Sequence, residues 1–176
     1  MHTGIVLAIE ADSKEEAVQK IEFFNEHNAS WSDWSEHGGR WEDVVEGAVL
    51  RYSDDPTRFN EVVLEFRKST EISKARYLEE LGDVTVKELV TSEEYLPFHK
   101  KSEKIKEMTD EEREEYLDKS LALWRAKKLL QLQDGEFGSD QHFYDAESYS
   151  VSDEYLLRRI EENPSRQFIV VWDYHY

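Results

Sequence analysis

The sequence predicts an α+β fold: a largely antiparallel sheet with helices packed on one side. Three observations predict it. Short β-prone runs stand near both ends, Ile5 to Ile9 and Gln167 to Tyr176. Amphipathic helical stretches occupy much of the length between them. The 39% apolar fraction over 176 residues is enough for a core, so one domain, 1–176, is expected. Within it the middle, about 53–133, reads as a helical elaboration, and the arrangement considered for the centre of the sheet is ferredoxin-like.

In chain order, Ile5 to Ile9 reads as a buried strand. Asp12-Ser13 then offers a helix N-cap, with Glu15 and Glu16 in the first turn. Ala17, Ile21 and Phe24, with Val18 beside them, carry the apolar stripe to about Glu26. Gly47 to Tyr52 and Glu61 to Phe66 read as strands of a hairpin around the turn residues Ser53-Asp-Asp-Pro56. The rival is a helix starting at Asp55-Pro56, with proline at the first helical position. Glu71 to Leu81 reads as a helix, and Gly82 sits where a left-handed residue would close it. Val84 to Lys106 gives no single reading, and Pro97 interrupts it. Thr109-Asp-Glu-Glu112 is a capping box that opens the clearest helix, running to about Gln133. Leu117, Leu121, Trp124 and Leu132 share one face of it. Asp134-Gly135 stops it, Ser152 or Asp153 caps a further helix, and Asn163-Pro164 ends that one. In the last strand Phe168, Val170, Trp172 and Tyr174 share one face, and Ile169, Val171, Asp173 and His175 the other. The first and last strands are expected to be neighbours.

The formal net charge of −18 repels nucleic-acid backbones and anionic membranes, so neither is an expected direct partner. It suits a basic protein partner, mimicry of a phosphate backbone, or plain solubility. The absence of cysteine removes disulfides, iron–sulfur clusters and thiolate-bound zinc. The N-terminal apolar run has no basic region before it and is too short for a signal peptide or a membrane span, so a cytoplasmic location is expected.

The densest signal is Trp31-Ser-Asp-Trp-Ser-Glu-His-Gly-Gly-Arg-Trp41, which holds three of the five tryptophans. Gly38-Gly39 allows backbone angles closed to other residues and a close approach to the main chain. Arg40 carries a donor fork suited to a carboxylate or phosphate. Trp31, Trp34 and Trp41 offer flat faces for stacking. A nucleotide-like ligand could place its ring on tryptophan and its phosphate on Arg40 and the glycine amides. The alternative is structural: tryptophans in the core, a tight Gly-Gly turn, and Arg40 against a carboxylate. Neither the Walker spacing nor GxGxxG is present.

A second constellation is Asp173-x-His175, whose side chains alternation puts on one strand face. Asp140, His142 and Asp145 form a third cluster, and His37 adjoins Gly38. The alternative for each is a hydrogen-bonded polar pair. GxSxG, HExxH and a cysteine nucleophile are all absent, so no catalytic residue, metal ligand set or cofactor is assigned. The stretch His99 to Lys106 reads as a solvated face.

Asp33-Trp34-x-x-x-Gly38-Gly39-Arg40-Trp41 resembles a motif of uncharacterised, largely phage-encoded proteins. The opening strand and helix, the turn Asp134-Gly-Glu-Phe137 and the closing Asp173-x-His175 match the same pattern, whereas about 52–133 departs from it. The resemblance implies a viral or mobile-element origin and no particular activity.

Three functions follow as expectations. The first is a non-catalytic binding protein, a phage accessory factor in the host cytosol. It would sequester a nucleotide-like ligand, or block a host defence protein through its acidic surface. Its ligand-binding residues would be Trp34, His37, Gly38, Gly39, Arg40, Trp41, Asp145, Asp173 and His175. The second is a small metal-assisted hydrolase or phosphodiesterase using His37, His142, Asp173 and His175. The third is a structural or assembly protein without a pocket.

Overall fold

The computed structural model describes residues 1–91, 105–138 and 140–176. The chain forms two compact units. One comprises Met1–Ile72 and Gly135–Tyr176, the other Ser73–Asp134.

The first unit is built on five strands: β1 (His2–Glu10), β2 (Trp34–His37), β3 (Val49–Arg51), β4 (Phe143–Asp145) and β5 (Gln167–His175). The sheet runs β2-β5-β1-β4, with β3 also paired to β5. β1 and β5 are antiparallel along their whole lengths, from His2 opposite His175 to Glu10 opposite Gln167. β2 and β3 also run antiparallel to β5, whereas β4 is parallel to β1. The sheet is therefore largely antiparallel in an α+β fold, as predicted, and the first and last strands are indeed neighbours. A ferredoxin-like centre would set β2 beside β4; here β2 pairs with β5.

The helices lie on both faces of this sheet, not on one. On one face Ile5, Leu7, Phe168, Val170, Trp172 and Tyr174 pack with Ala17, Ile21 and Phe24 of α1 (Lys14–Asn28). On the other, Val6, Ala8, Ile169, Val171 and Phe143 pack with Phe59, Val62, Val63 and Phe66 of α2 (Pro56–Glu79) and with a leucine, Leu156, further along the chain. The reason lies in the strands. β1 and β5 are apolar on both faces over most of their length, so a single helical layer would leave one face in water.

Local signals explain the helix ends. Ser13 accepts from the Glu16 amide at 3.1 Å, as its N-cap position predicts. Asp55 Oδ1 accepts from the Arg58 amide at 2.9 Å, so Asp55-Pro56 opens α2 and the rival reading replaces the hairpin. Phe59, Val62, Val63 and Phe66 fall at helical spacing, and burying that stripe decides the matter. Only β3 remains of the two strands expected there. α2 spans the division between the units, its residues up to Ile72 falling in the sheet unit.

The second unit holds the end of α2, α3 (Val86–Thr91) and α4 (Asp110–Asp134). The predicted capping box forms: the Thr109 amide donates to Glu112 Oε2 at 2.9 Å, and the Glu112 amide donates to Thr109 Oγ1 at 3.2 Å. The predicted inward face of α4 is only partly right. Leu132 is buried, but Leu117, Leu121 and Trp124 are 40% exposed or more, and Ala122, Leu123 and Ala126 are buried in their place. Two alanines one turn apart let a neighbouring backbone come close. Trp124 still meets Tyr77 edge-on at 5.4 Å, and Arg125 pairs with Glu80 at 2.8 Å. Gly82 does adopt the left-handed conformation expected of it, at φ +68°. The stretch His99 to Lys106 lies, up to residue 104, outside the described residues. The last helix of the chain, α5 (Asp153–Glu162), returns to the sheet unit and supplies Leu156.

Candidate functional site

The tryptophan segment becomes β2 and a glycine turn at one corner of the sheet. Gly38 and Gly39 take φ of +69° and +52° and lead into a 3₁₀ turn, Gly39–Val44. The Gly38 amide donates to the Val171 carbonyl at 2.9 Å, and the Trp41 amide to the Gly38 carbonyl at 2.9 Å.

The close approach that Gly39 permits is made by the protein itself. A Cβ built on Gly39 would lie 2.6 Å from Asp173 Cβ and 2.7 Å from Asp173 Oδ2. Asp173 is fully buried, and its carboxylate accepts from the Arg40 amide at 3.1 Å. Its other partner is His2, whose Nδ1 lies 3.1 Å from both carboxylate oxygens. A carboxylate only accepts, so the proton of that contact sits on Nδ1. The turn is thus a cradle for Asp173, which ties β5 to the β2 turn on one side and to β1 on the other. The glycine turn expected to hold a ligand phosphate is occupied.

The aromatic groups divide. Trp41 lies flat on β1: a Cβ on Gly4 would come within 2.5 Å of its Cδ2. It also meets Phe66 edge-on at 6.3 Å, so it packs against the core and is only partly exposed. Trp31 joins the opposite core, against Tyr174 and Phe137. Only Trp34 is exposed, at 44%. It stacks on His175, its cross-strand neighbour, with centroids 5.4 Å apart and planes 6° apart. His2 closes the group edge-on, 5.3 Å from Trp34 and 5.0 Å from His175. His175 Nδ1 faces Asp33 Oδ2 at 3.5 Å.

Of the predicted site residues, Trp34, Gly38, Gly39, Arg40, Trp41, Asp173 and His175 therefore do gather at this corner. His37 does not join the ring group. It alternates to the other side of β2, 5.7 Å from Trp172. Asp145 does not join either. It pairs with Ala8, four residues along β1 from the partner of Asp173, a separation of about 13 Å at strand rise. There it is fully buried, with Oδ1 accepting from Arg159 Nη2 at 2.8 Å and from the Glu147 amide at 3.1 Å. That is an ion pair closing a turn. The distances follow from register, which the local sequence does not encode.

His142, from the hydrolase reading, has Nδ1 3.4 Å from the Gly4 carbonyl, and burial pushes its pKa below the ordinary histidine value. Among the described residues no three histidine, aspartate or glutamate side chains come together as a metal site.

Sequence reasoning missed His2. The signal was available in the register: antiparallel pairing of the two terminal strands puts His2 opposite His175, on the face that carries Asp173. It also missed the acidic surround. Asp33, Glu36, Glu42, Asp43 and Glu46 are all exposed around the turn, and Arg40 is the one exposed cation among them. Arg40 makes only the backbone contact to Asp173 among the described residues. No described helix is long and apolar enough to cross a membrane. No protein-family model, curated protein or solved structure matches this chain.

Proposed function

We propose that this is a non-catalytic binding protein that takes a basic segment of a protein partner at the Trp34 corner. One observation carries the reading. The exposed Trp34 ring, backed by His175, stands beside two exposed carboxylates, Asp33 and Glu36, while the glycine turn farther along is filled by Asp173. An exposed indole attracts a guanidinium or ammonium through its ring face, and nearby carboxylates add charge attraction. In the phage setting that the sequence resemblance implies, the partner would be a host defence protein met in the host cytosol.

The test is calorimetric titration with a tetra-arginine peptide at rising salt. Binding should weaken steeply as salt increases and fall about fivefold or more in Trp34→Ala, the loss of a cation–π contact of about 1 kcal/mol. Binding that ignores both salt and the substitution overturns the reading.

A second reading, a nucleotide-like ligand stacked on Trp34, draws on the exposed Arg40 guanidinium. It predicts that ATP binds and that Arg40→Ala abolishes this binding. The surrounding carboxylates oppose it.

A further inference from the structure

We infer that the partner segment binds as an added β-strand on the free edge of β2, with basic side chains at alternate positions. This rests on the basic-partner reading above and specifies its geometry.

Among the described residues the sheet has two edges, β4 on one side and β2 and β3 end to end on the other, and they differ. At the β4 edge all three residues are buried, and Asp145 exchanges hydrogen bonds with Ser150, amide to carbonyl in both directions, at 2.7 and 3.2 Å. The chain itself covers that edge. β2 pairs with β5 on one side and, among the described residues, with no strand on the other. Trp34, Glu36 and His37 are exposed along it.

The backbone of β2 is set up for pairing. The Gly38 amide points to β5, where it meets the Val171 carbonyl. Alternation in an antiparallel ladder then turns the N–H and C=O of Ser35 and His37 away from β5. Neither residue makes a hydrogen bond outside that ladder among the described residues. Natural edges are commonly blunted by lysine or proline, and β2 contains neither. Its four residues leave room for two rungs of pairing.

Charge complementarity identifies the occupant. Trp34 and Glu36 share the face that carries Asp173 and His175, and Asp33, exposed next to Trp34, lies against His175. A strand laid against β2 presents every second side chain to that face. Arginine or lysine at those positions would meet the Trp34 ring and the Glu36 carboxylate. Main-chain bonds would supply affinity, and the alternating cations selectivity. Of the cations close by, Arg40 lies past the end of β2, Arg58 is held by the Val44 carbonyl of the turn, and the Met1 ammonium is held by the Tyr176 carbonyl.

The experiment uses the full chain and the capped peptide Arg-Val-Arg-Val-Arg-Val. Three comparisons are made: the same peptide N-methylated at alternate amides, a Thr-Val version without charge, and the protein variant Ser35→Pro. The Ser35 amide takes no part in the β5 ladder, so proline removes only the outward donor. Amide exchange of β5 checks that the variant keeps its sheet, and the methylated peptide tests the unchanged protein. The basic peptide should bind and slow exchange at the Ser35 and His37 amides. N-methylation in the matching register should weaken binding about twenty-fivefold, the loss of two amide hydrogen bonds at roughly fivefold each. If the methylated peptide binds as well as its parent and the two amides stay unprotected, strand addition is overturned while the basic-partner reading stands. Equal binding of the Thr-Val peptide overturns the basic-partner reading and, with it, the assigned occupant. No binding by either unmethylated peptide at millimolar concentration overturns both.

Discussion

Replacing Gly39 by alanine tests whether the turn is built around Asp173. Two costs arise. The first is backbone: φ of +52° is disfavoured for a residue with a Cβ by about 1–2 kcal/mol. The second is contact. The new methyl falls 2.6 Å from Asp173 Cβ, which belongs to a strand paired on both sides and cannot simply rotate away. Overpacking of that kind costs about 1–3 kcal/mol. The sum is about 2–5 kcal/mol. Gly47→Ala is the internal control. Its φ is +68°, but nothing lies within 4 Å of the added Cβ, so only the backbone cost of about 1–2 kcal/mol applies. Amide exchange at Ile5 to Ala8 and at Val170 and Val171 reads the opening free energy of the sheet unit. Gly39→Ala should lower it clearly more than Gly47→Ala, and the His2 ring resonances should move as Asp173 is displaced. Equal losses in the two variants would refute the cradle.

Three further outcomes are expected. Tyr174→Phe removes a buried hydroxyl that donates to Asn25 Oδ1 at 2.6 Å and leaves that oxygen unpaired, so the sheet unit should lose about 1–3 kcal/mol in denaturant unfolding. His142 has a pKa lowered by burial, so the unfolded chain takes up its proton first as pH falls. Stability should drop from about pH 6.5 downward until the folded value is passed, and a His142→Asn variant should show a smaller drop between pH 7 and 5. Glu88 is held at about 2, first by Lys119 and then by its own capping bonds with Thr85. Lys119→Met should raise its NMR titration midpoint toward the ordinary glutamate range, and an unchanged midpoint would remove Lys119 as the cause.

Much of the fold was legible because its signals are local. The Ser13 cap, the Thr109 box and the left-handed Gly82 each follow from a few adjacent residues. The alternation in β5 correctly sorted Phe168, Val170, Trp172 and Tyr174 from Ile169 and Val171. The hairpin expected around Ser53 failed because Val62, Val63 and Phe66 fit either period, and only burial against the sheet separates the two. The inward face of α4 failed for a related reason: large apolar residues were assumed to face inward, while Ala122 and Ala126 do. The site was half legible. Seven of the nine predicted residues share a corner, but their partners are protein atoms that no local pattern names.

The caps of the helices and the apolar faces of the first and last strands were written in the chain itself, since each depends on hydrogen bonds and periodicities within a few residues. Tertiary structure alone decided which carboxylate fills the Gly38-Gly39 turn, which of three tryptophans faces solvent, and which sheet edge is left open. Those outcomes depend on the register of strands about 130 residues or more apart. A shift of one residue in that register would put Asp173 and His2 on different faces, with every local signal unchanged.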